Sequence, residues 1–267
     1  MQNHDVIWSQ NSELYPQYLR SRINRGQGVG KGIEYRSWLK IREVPSKGSS
    51  AAVMGILVRR RFELLSQLET IFFFLTERRP DVVDIRENWP ILDLARTVEL
   101  CAKLGVRHSS KGLYPFPFTI DFLITEKAVG GLRHVGASIK TPRDARNQLV
   151  CKRLNIEYQW CRENGIDWAL IDTSGFTDTL LSTLRFMRRW FRNRYEPTES
   201  RVACFLEYFS RAYQRNVVLG AILEKISARM RLDLNEVENL FTYSAWKGSI
   251  PICVEQELRL DRPTALK

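Results

Sequence analysis

Two spacings of apolar residues alternate along the chain, one helical and one with a period of two, and their order predicts the architecture. Residues 1–21 show neither, so 1–24 read as an N-terminal extension. Residues 62–78 read as a helix, because at 100° per residue Leu64, Leu65, Leu68, Ile71, Phe72 and Leu75 share one arc. Glu69 lies at the edge of that arc, between Leu65 and Phe73. A carboxylate there either reaches solvent or needs an arginine, a hydrogen-bond network or a metal. Residues 81–88 alternate Val83 and Ile85 with Asp84 and Arg86, a half-buried strand closed by Trp89–Pro90. A helix follows and stops at Gly105, a natural C-cap. A strand at about 118–125, a Gly130–Gly131 turn and a second strand over 134–140 make a β-hairpin. One long helix is predicted from Pro142 to Gly165, then a buried strand over 167–172. This order yields a mixed sheet flanked by helices, an α/β core of about 175 residues.

Beyond Gly175 the pattern becomes helix after helix. A basic amphipathic helix near 180–194 is placed to join two domains, and further helices follow over 201–214 and 218–230. The helix over 233–246 opens with Asp233 and Glu236 at capping-box spacing. Helix, a short Arg231–Leu232–Asp233 turn, helix, and residues 249–260 as a β-wing outline a winged helix-turn-helix. The predicted division is therefore an extension over 1–24, an α/β domain over 25–175 and a mainly α winged-helix domain over 176–267.

Composition narrows the classes. At 44% hydrophobic and 27% charged, the 267 residues suit a packed globular protein and exclude wholesale disorder. The longest apolar run, 70–75, falls far short of the ~18 residues of a membrane span, so no membrane partner is expected. The first residues lack the basic-then-apolar pattern of a secretory signal. Five scattered cysteines without a CxxC, and only three histidines (His4, His108, His134), argue against a disulfide framework or a zinc site and fit the reducing cytoplasm. The 41 Lys+Arg against 30 Asp+Glu leave +11, which points to a polyanion, most simply nucleic acid. Both parts share the excess: 26 basic against 19 acidic residues up to Gly175, and 15 against 11 beyond. The helix over 233–246 nevertheless has three acids and no Lys or Arg, which would repel a phosphate backbone. The C-terminal domain is therefore expected to dock protein rather than read DNA.

The candidate chemistry lies in a few residues. The string GVGK at 28–31 fails as a phosphate loop: Arg25 stands at the first glycine position, Gly32 replaces the Ser/Thr, and no strand precedes it. A basic loop touching DNA phosphates through Lys31 and a plain solvated loop both remain open. Arg59, Arg60 and Arg61 precede the predicted helix, where positive charge opposes the macrodipole. They read either as a DNA grip or as a solvated turn. Asp121 interrupts the apolar strand FTIDFLI, where a charge must be paired or serve as a ligand. Ser138 and Lys140 share one strand face, so the hairpin brings Asp121 and Lys140 to one sheet edge, with Glu69 approaching from its helix. Two carboxylates and a lysine suit Mg²⁺-assisted phosphodiester hydrolysis. Two ordinary ion pairs, Asp121 with Lys140 and Glu69 with one of the arginines at 59–61, account for the same residues.

The stretch GVGKGIEYRSWLKIREVPSKGSS, followed by LLSQLE, VVDIRENWPI, TIDFLI and ASIK, resembles the TnsA family in order and spacing over about residues 25–172. The resemblance implies a catalytic domain like the type II restriction endonucleases, with an acid, acid, lysine active site. By motif these are Glu69, Asp121 and Lys140, with Glu69 and Asp121 as ligands of Mg²⁺ and Mn²⁺ tolerated. Glu63, six residues upstream, is the wrong glutamate by this matching, and Glu157 in LNIEYQW matches a supporting acid. Ser138 departs from the pattern, since the wider superfamily has an acid or amide two residues before the lysine, so one metal or two stays open. The family implies cleavage of the 5′, non-transferred strands at transposon ends. Its partners are transposon-end DNA, a TnsB-like integrase, and a TnsC-like AAA+ regulator met through the C-terminal domain. A non-catalytic DNA-binding scaffold subunit and a stand-alone restriction-like nuclease are the competing readings.

Overall fold

The computed structural model describes residues 7–44 and 49–267. Residues 1–6 of the expected extension, and the PSKG at 45–48 within the first matching stretch, lie outside the described residues. The chain divides into two compact units at Gly175 and Phe176.

The first unit is built on a four-stranded sheet, apart from which Ser110–Lys111 (β4) and Tyr114–Pro115 (β5) pair with each other. β3 (Val82–Ile91) and β7 (Gly131–Ile139) flank β6 (Phe118–Ala128), both antiparallel to it, and β8 (Asp167–Ile171) runs parallel to β7. This is the mixed sheet flanked by helices that the sequence predicts. β3 runs on through Trp89 and Pro90, where the sequence predicts a stop. An edge strand tolerates a proline because one side of it carries no ladder. β8 is half-buried rather than buried, since it forms the opposite edge. α3 (Leu94–Leu104), capped by Asp93 and ended by Gly105 at φ 62°, and α5 (Gln148–Glu163) border one hydrophobic cluster. In it Leu100, Cys101, Ile156 and Trp160 pack on Trp89, Ile120 and Leu123. α2 (Gln67–Glu77) packs separately, with Phe72 on Phe122 at 5.2 Å between ring centroids.

Three predicted elements change. Residues 61–64 form a strand, β2 (Arg61–Leu64), paired antiparallel with β1 (Ala51–Met54), and are not the first turn of a helix. The helix begins only at Gln67 because Ser66 caps it, its hydroxyl accepting the Glu69 N–H at 3.2 Å. The helix after Pro142 is broken into α4 (Pro142–Ala145) and α5, because Asn147 accepts the Leu149 and Val150 N–H groups at 2.9 and 3.3 Å and starts a new helix. The predicted extension is not an arm in its described part. Residues 17–24 form α1 (Gln17–Asn24), and Tyr15, Leu19 and Ile23 pack with Trp38, Leu92 and Leu94. At eight residues α1 is too short to hold alone, so its stability comes from that packing. Gly28 lies nearby at φ +72°, and a Cβ there would sit 2.3 Å from Cγ of Pro90.

The second unit carries α6 (Asp178–Met187), α7 (Arg189–Arg192), α8 (Glu199–Ala212), α9 (Leu219–Met230) and α10 (Leu234–Lys247). The basic helix predicted to join two domains is therefore two helices, α6 and α7, within this unit. α9 and α10 meet through the short turn, with Arg231 at φ 54°, as helix-turn-helix spacing predicts. The β-wing is not formed: among the described residues 248–267 hold no strand, only the isolated bridges Ile252–Leu266 and Val218–Pro263. Pro251 and Pro263 each lack the N–H that a ladder needs. α10 buries Val237, Asn239, Leu240, Phe241, Thr242, Ser244, Ala245 and Trp246, which makes it the central helix of the unit.

Candidate active site

The ladder between β6 and β7 ends at Phe122–Ala137, and beyond it the Asp121 side chain takes over as acceptor. Asp121 Oδ2 accepts the Ile139 N–H at 2.6 Å and the Lys140 ammonium at 2.7 Å. Lys140 also donates to the Ile139 carbonyl at 3.0 Å. Burial opposes the charge on Lys140, but Asp121, with Glu157 and Glu69 behind it, outweighs burial and raises its pKa. The lysine is therefore a fixed ammonium at neutral pH. Two of its three protons have partners among the described residues, which leaves one for a substrate oxygen.

Glu69 stands in the first turn of α2, and local chemistry holds it there. Its carboxylate accepts the Leu65 N–H at 2.8 Å and the Ser66 hydroxyl at 2.9 Å, so Ser66 and Glu69 clamp each other across the helix start. Burial, then the nearby Asp121 carboxylate, push its pKa up to about 7. The sequence had left Glu69 at the boundary with solvent or paired with an arginine at 59–61. It is buried instead, and held by a backbone amide and a hydroxyl.

Ser138 donates to Glu157 Oε2 at 2.5 Å. Glu157, in α5, is thus tied to the strand position where a carboxylate is missing. Burial first, and then Asp121, raise its pKa to about 8. Glu69, Asp121, Ser138, Lys140 and Glu157 therefore share one electrostatic neighbourhood. Sequence reading missed the Ser66 clamp, although S-x-x-E at 66–69 is a capping-box signature. It also missed the Ser138–Glu157 pairing, for which the spacing of Leu154, Glu157 and Trp160 on the buried side of α5 is the only local sign.

The site fits a hard divalent cation. Burial and the Asp121 carboxylate raise the pKa values of Glu69 and Glu157, and the donors are oxygens rather than thiolates or imidazoles. Among the described residues no three His, Cys, Asp or Glu form a closed metal cage. Mg²⁺ does not require one, since it keeps waters and takes substrate phosphate oxygens beside one or two carboxylates.

The expected DNA-contacting arginines separate. Arg60 is buried, its guanidinium 2.5 Å from Glu87 and 3.7 Å above the Phe62 ring, so it is a structural residue and not a DNA grip. Glu87 is fully buried, and burial raises its pKa despite Arg60. Arg59 and Arg61 are exposed in the β1–β2 hairpin, ahead of the true helix start, so the macrodipole argument does not apply to them. Lys31 is exposed beside the short 3₁₀ turn Gly32–Glu34. Glu63 stands apart from the site, accepting the Ile41 N–H at 3.2 Å and lying 3.4 Å from Arg61.

In α10 the acids have partners. Glu238 lies 3.1 Å from Arg189, and Glu236 lies 3.5 Å from Arg201 and accepts the Tyr195 hydroxyl at 3.3 Å. Asp233 caps through the Asn235 N–H, so the expected capping box with Glu236 is not made. No helix of the described residues is long and apolar enough to cross a membrane.

Comparison with known proteins adds two findings. Residues 79–173 match the family described as TnsA-like endonuclease N terminal. The chain is also 29% identical over 168 residues to the Transposon Tn7 transposition protein TnsA of Escherichia coli. That alignment covers 63% of this chain and 59% of the relative's length.

Proposed function

We propose that the chain acts as a TnsA-family protein, a Mg²⁺-dependent DNA endonuclease cutting the 5′, non-transferred strands at transposon ends. It acts as one subunit of a transposase complex, beside a TnsB-like integrase that processes the 3′ ends. The observation that carries this reading is the convergence of Glu69, Asp121 and Lys140, with Glu157 attached through Ser138. Glu69 and Asp121 would hold Mg²⁺, or Mn²⁺ in its place. When bound, the ion supplies a water of lowered pKa and neutralises charge on the phosphoryl oxygens.

The remaining work falls to the chain's own groups. Lys140 keeps its proton and turns its spare N–H toward a phosphate oxygen, adding stabilisation where charge develops. Leu65 and Ser66 hold Glu69 in one orientation, so no side-chain ordering is needed at the moment of reaction. Glu157 accepts the Ser138 hydroxyl and so fixes that side chain on the strand face that carries Lys140.

The C-terminal unit, in this reading, docks the TnsC-like AAA+ regulator. Its helix-turn-helix is unsuited to DNA because most of α10 is buried and its acids are tied to Arg189 and Arg201. Arg59, Arg61 and Lys31 remain proposed backbone contacts.

The decisive experiment reconstitutes the chain with the neighbouring integrase on end DNA and maps 5′ and 3′ cuts separately. Asp121→Asn is expected to abolish 5′ cleavage and leave 3′ processing intact. Unchanged 5′ ends with all three substitutions at Glu69, Asp121 and Lys140 would mean a scaffold subunit. Cleavage without the integrase, at other sites, would mean a stand-alone nuclease.

A further inference from the structure

An open cleft of about 450 Å³ lies in the first unit, away from the acid–lysine cluster. Its walls are the glycine-rich segment at Arg25 and Gln27, the stretch from Tyr35 to Glu43, and the start of β2 at Arg60, Arg61 and Glu63. Six basic and two acidic residues line it.

The two acids are already engaged. Glu43 is held by Arg22 at 3.2 Å and by the Lys40 N–H at 3.3 Å, and Glu63 by the Ile41 N–H and Arg61. Arg60 is cancelled by Glu87. Among the described residues no carboxylate pairs with Arg25, Arg36, Lys40 or Arg42, and all but Lys40 are exposed. Gln27 adds a largely buried amide to the lining of the cleft. Several guanidinium groups without a carboxylate partner around a polar floor select phosphate oxygens, which accept such forks in pairs.

We propose that this cleft is a backbone-phosphate subsite that seats duplex DNA beside the cutting site, through Arg25, Arg36, Lys40 and Arg42. The choice of DNA as the polyanion rests on the endonuclease reading; the phosphate chemistry of the cleft does not.

The test measures affinity of the full chain for a transposon-end duplex between about 50 and 200 mM salt, for the unsubstituted protein and for Arg25→Gln with Arg42→Gln. Each is measured with and without Asp121→Asn, so binding is read independently of cutting. Losing two phosphate contacts is expected to make the log–log salt slope shallower by about 1.8. The same loss is expected with Asp121→Asn present. Arg25→Lys with Arg42→Lys keeps the charge and restores the steeper slope. Phosphate ethylation interference flanking the cut is expected to weaken at one or more phosphates in the Gln variant. An unchanged slope overturns the proposal, and so does a slope that stays shallow in the Lys variant. Lost binding of polyglutamate with unchanged duplex binding also overturns it, and identifies an acidic protein segment as the occupant. Absence of 5′ cleavage in every form, with the slope effect intact, removes the endonuclease reading and leaves the cleft standing.

Discussion

Replacing Glu157 by Gln should stabilise the first unit at alkaline pH, and the buried site sets the size of the effect. The carboxyl lies beneath the strand, bonded to Ser138, with Asp121 and Lys140 facing it. Its pKa is pushed up from 4.5 to about 8. Folding therefore takes up a proton between these two values. The contribution to stability is complete below pH 4.5 and is lost as pH rises through about 8. The loss approaches 1.36 kcal/mol per pH unit and sums to something on the order of 5 kcal/mol. Glutamine keeps the shape and an oxygen for the Ser138 hydroxyl but never ionises. Lys140 loses an attractive neighbour, which subtracts from the gain. At about 2–4 °C per kcal/mol, the variant should melt on the order of 10 °C higher than the unsubstituted chain near pH 9, and equally at pH 4.5. Fluorescence of Trp160 and Trp168 during thermal denaturation without divalent cations follows this unit. Two parallel pH profiles would refute the reasoning, because they would mean that Glu157 is not held neutral by its surroundings.

Arg60→Ala should destabilise the first unit by about 3–5 kcal/mol, since Glu87 would be left buried without its partner. Chemical denaturation measures this, and an exposed-arginine effect below about 0.5 kcal/mol would contradict the buried pairing. Gly28→Ala should cost about 2–4 kcal/mol, because alanine is strained at φ +72° and its Cβ would meet Pro90 at 2.3 Å; an unchanged melting temperature would exclude that contact. Asp121→Asn should lower the Lys140 pKa, as the carboxylate that outweighs burial disappears. An NMR titration of the ammonium reads it, and a fixed value would place the control elsewhere.

Much of the first unit was legible in the chain. The hairpin around Gly130–Gly131, the β3 strand and the Gly105 stop follow from local rules: a period of two, paired glycines in a turn, and a left-handed cap at φ 62°. The same rules went astray at residues 62–64, where strand and helix spacings overlap over so short a run. There the Ser66 cap, rather than the apolar arc, decided where the helix begins. They went astray again at Asn147, which ends one helix only by starting another.

Asp121 and Lys140 could be brought together on paper because a hairpin has one register. Arg60 could not be told from Arg59 and Arg61. Three identical side chains in a row carry no sign of which one a distant Glu87 will bury. The tie between Ser138 and Glu157 spans 19 residues and depends on how α5 lies across the sheet. The sequence by itself therefore determined the elements, the positive charge and the residues able to do the chemistry, since spacing and side-chain type are local properties. Only the tertiary structure decided which carboxylates meet, which become hard to ionise and which arginine is buried, because burial and Coulomb interaction depend on distance in space.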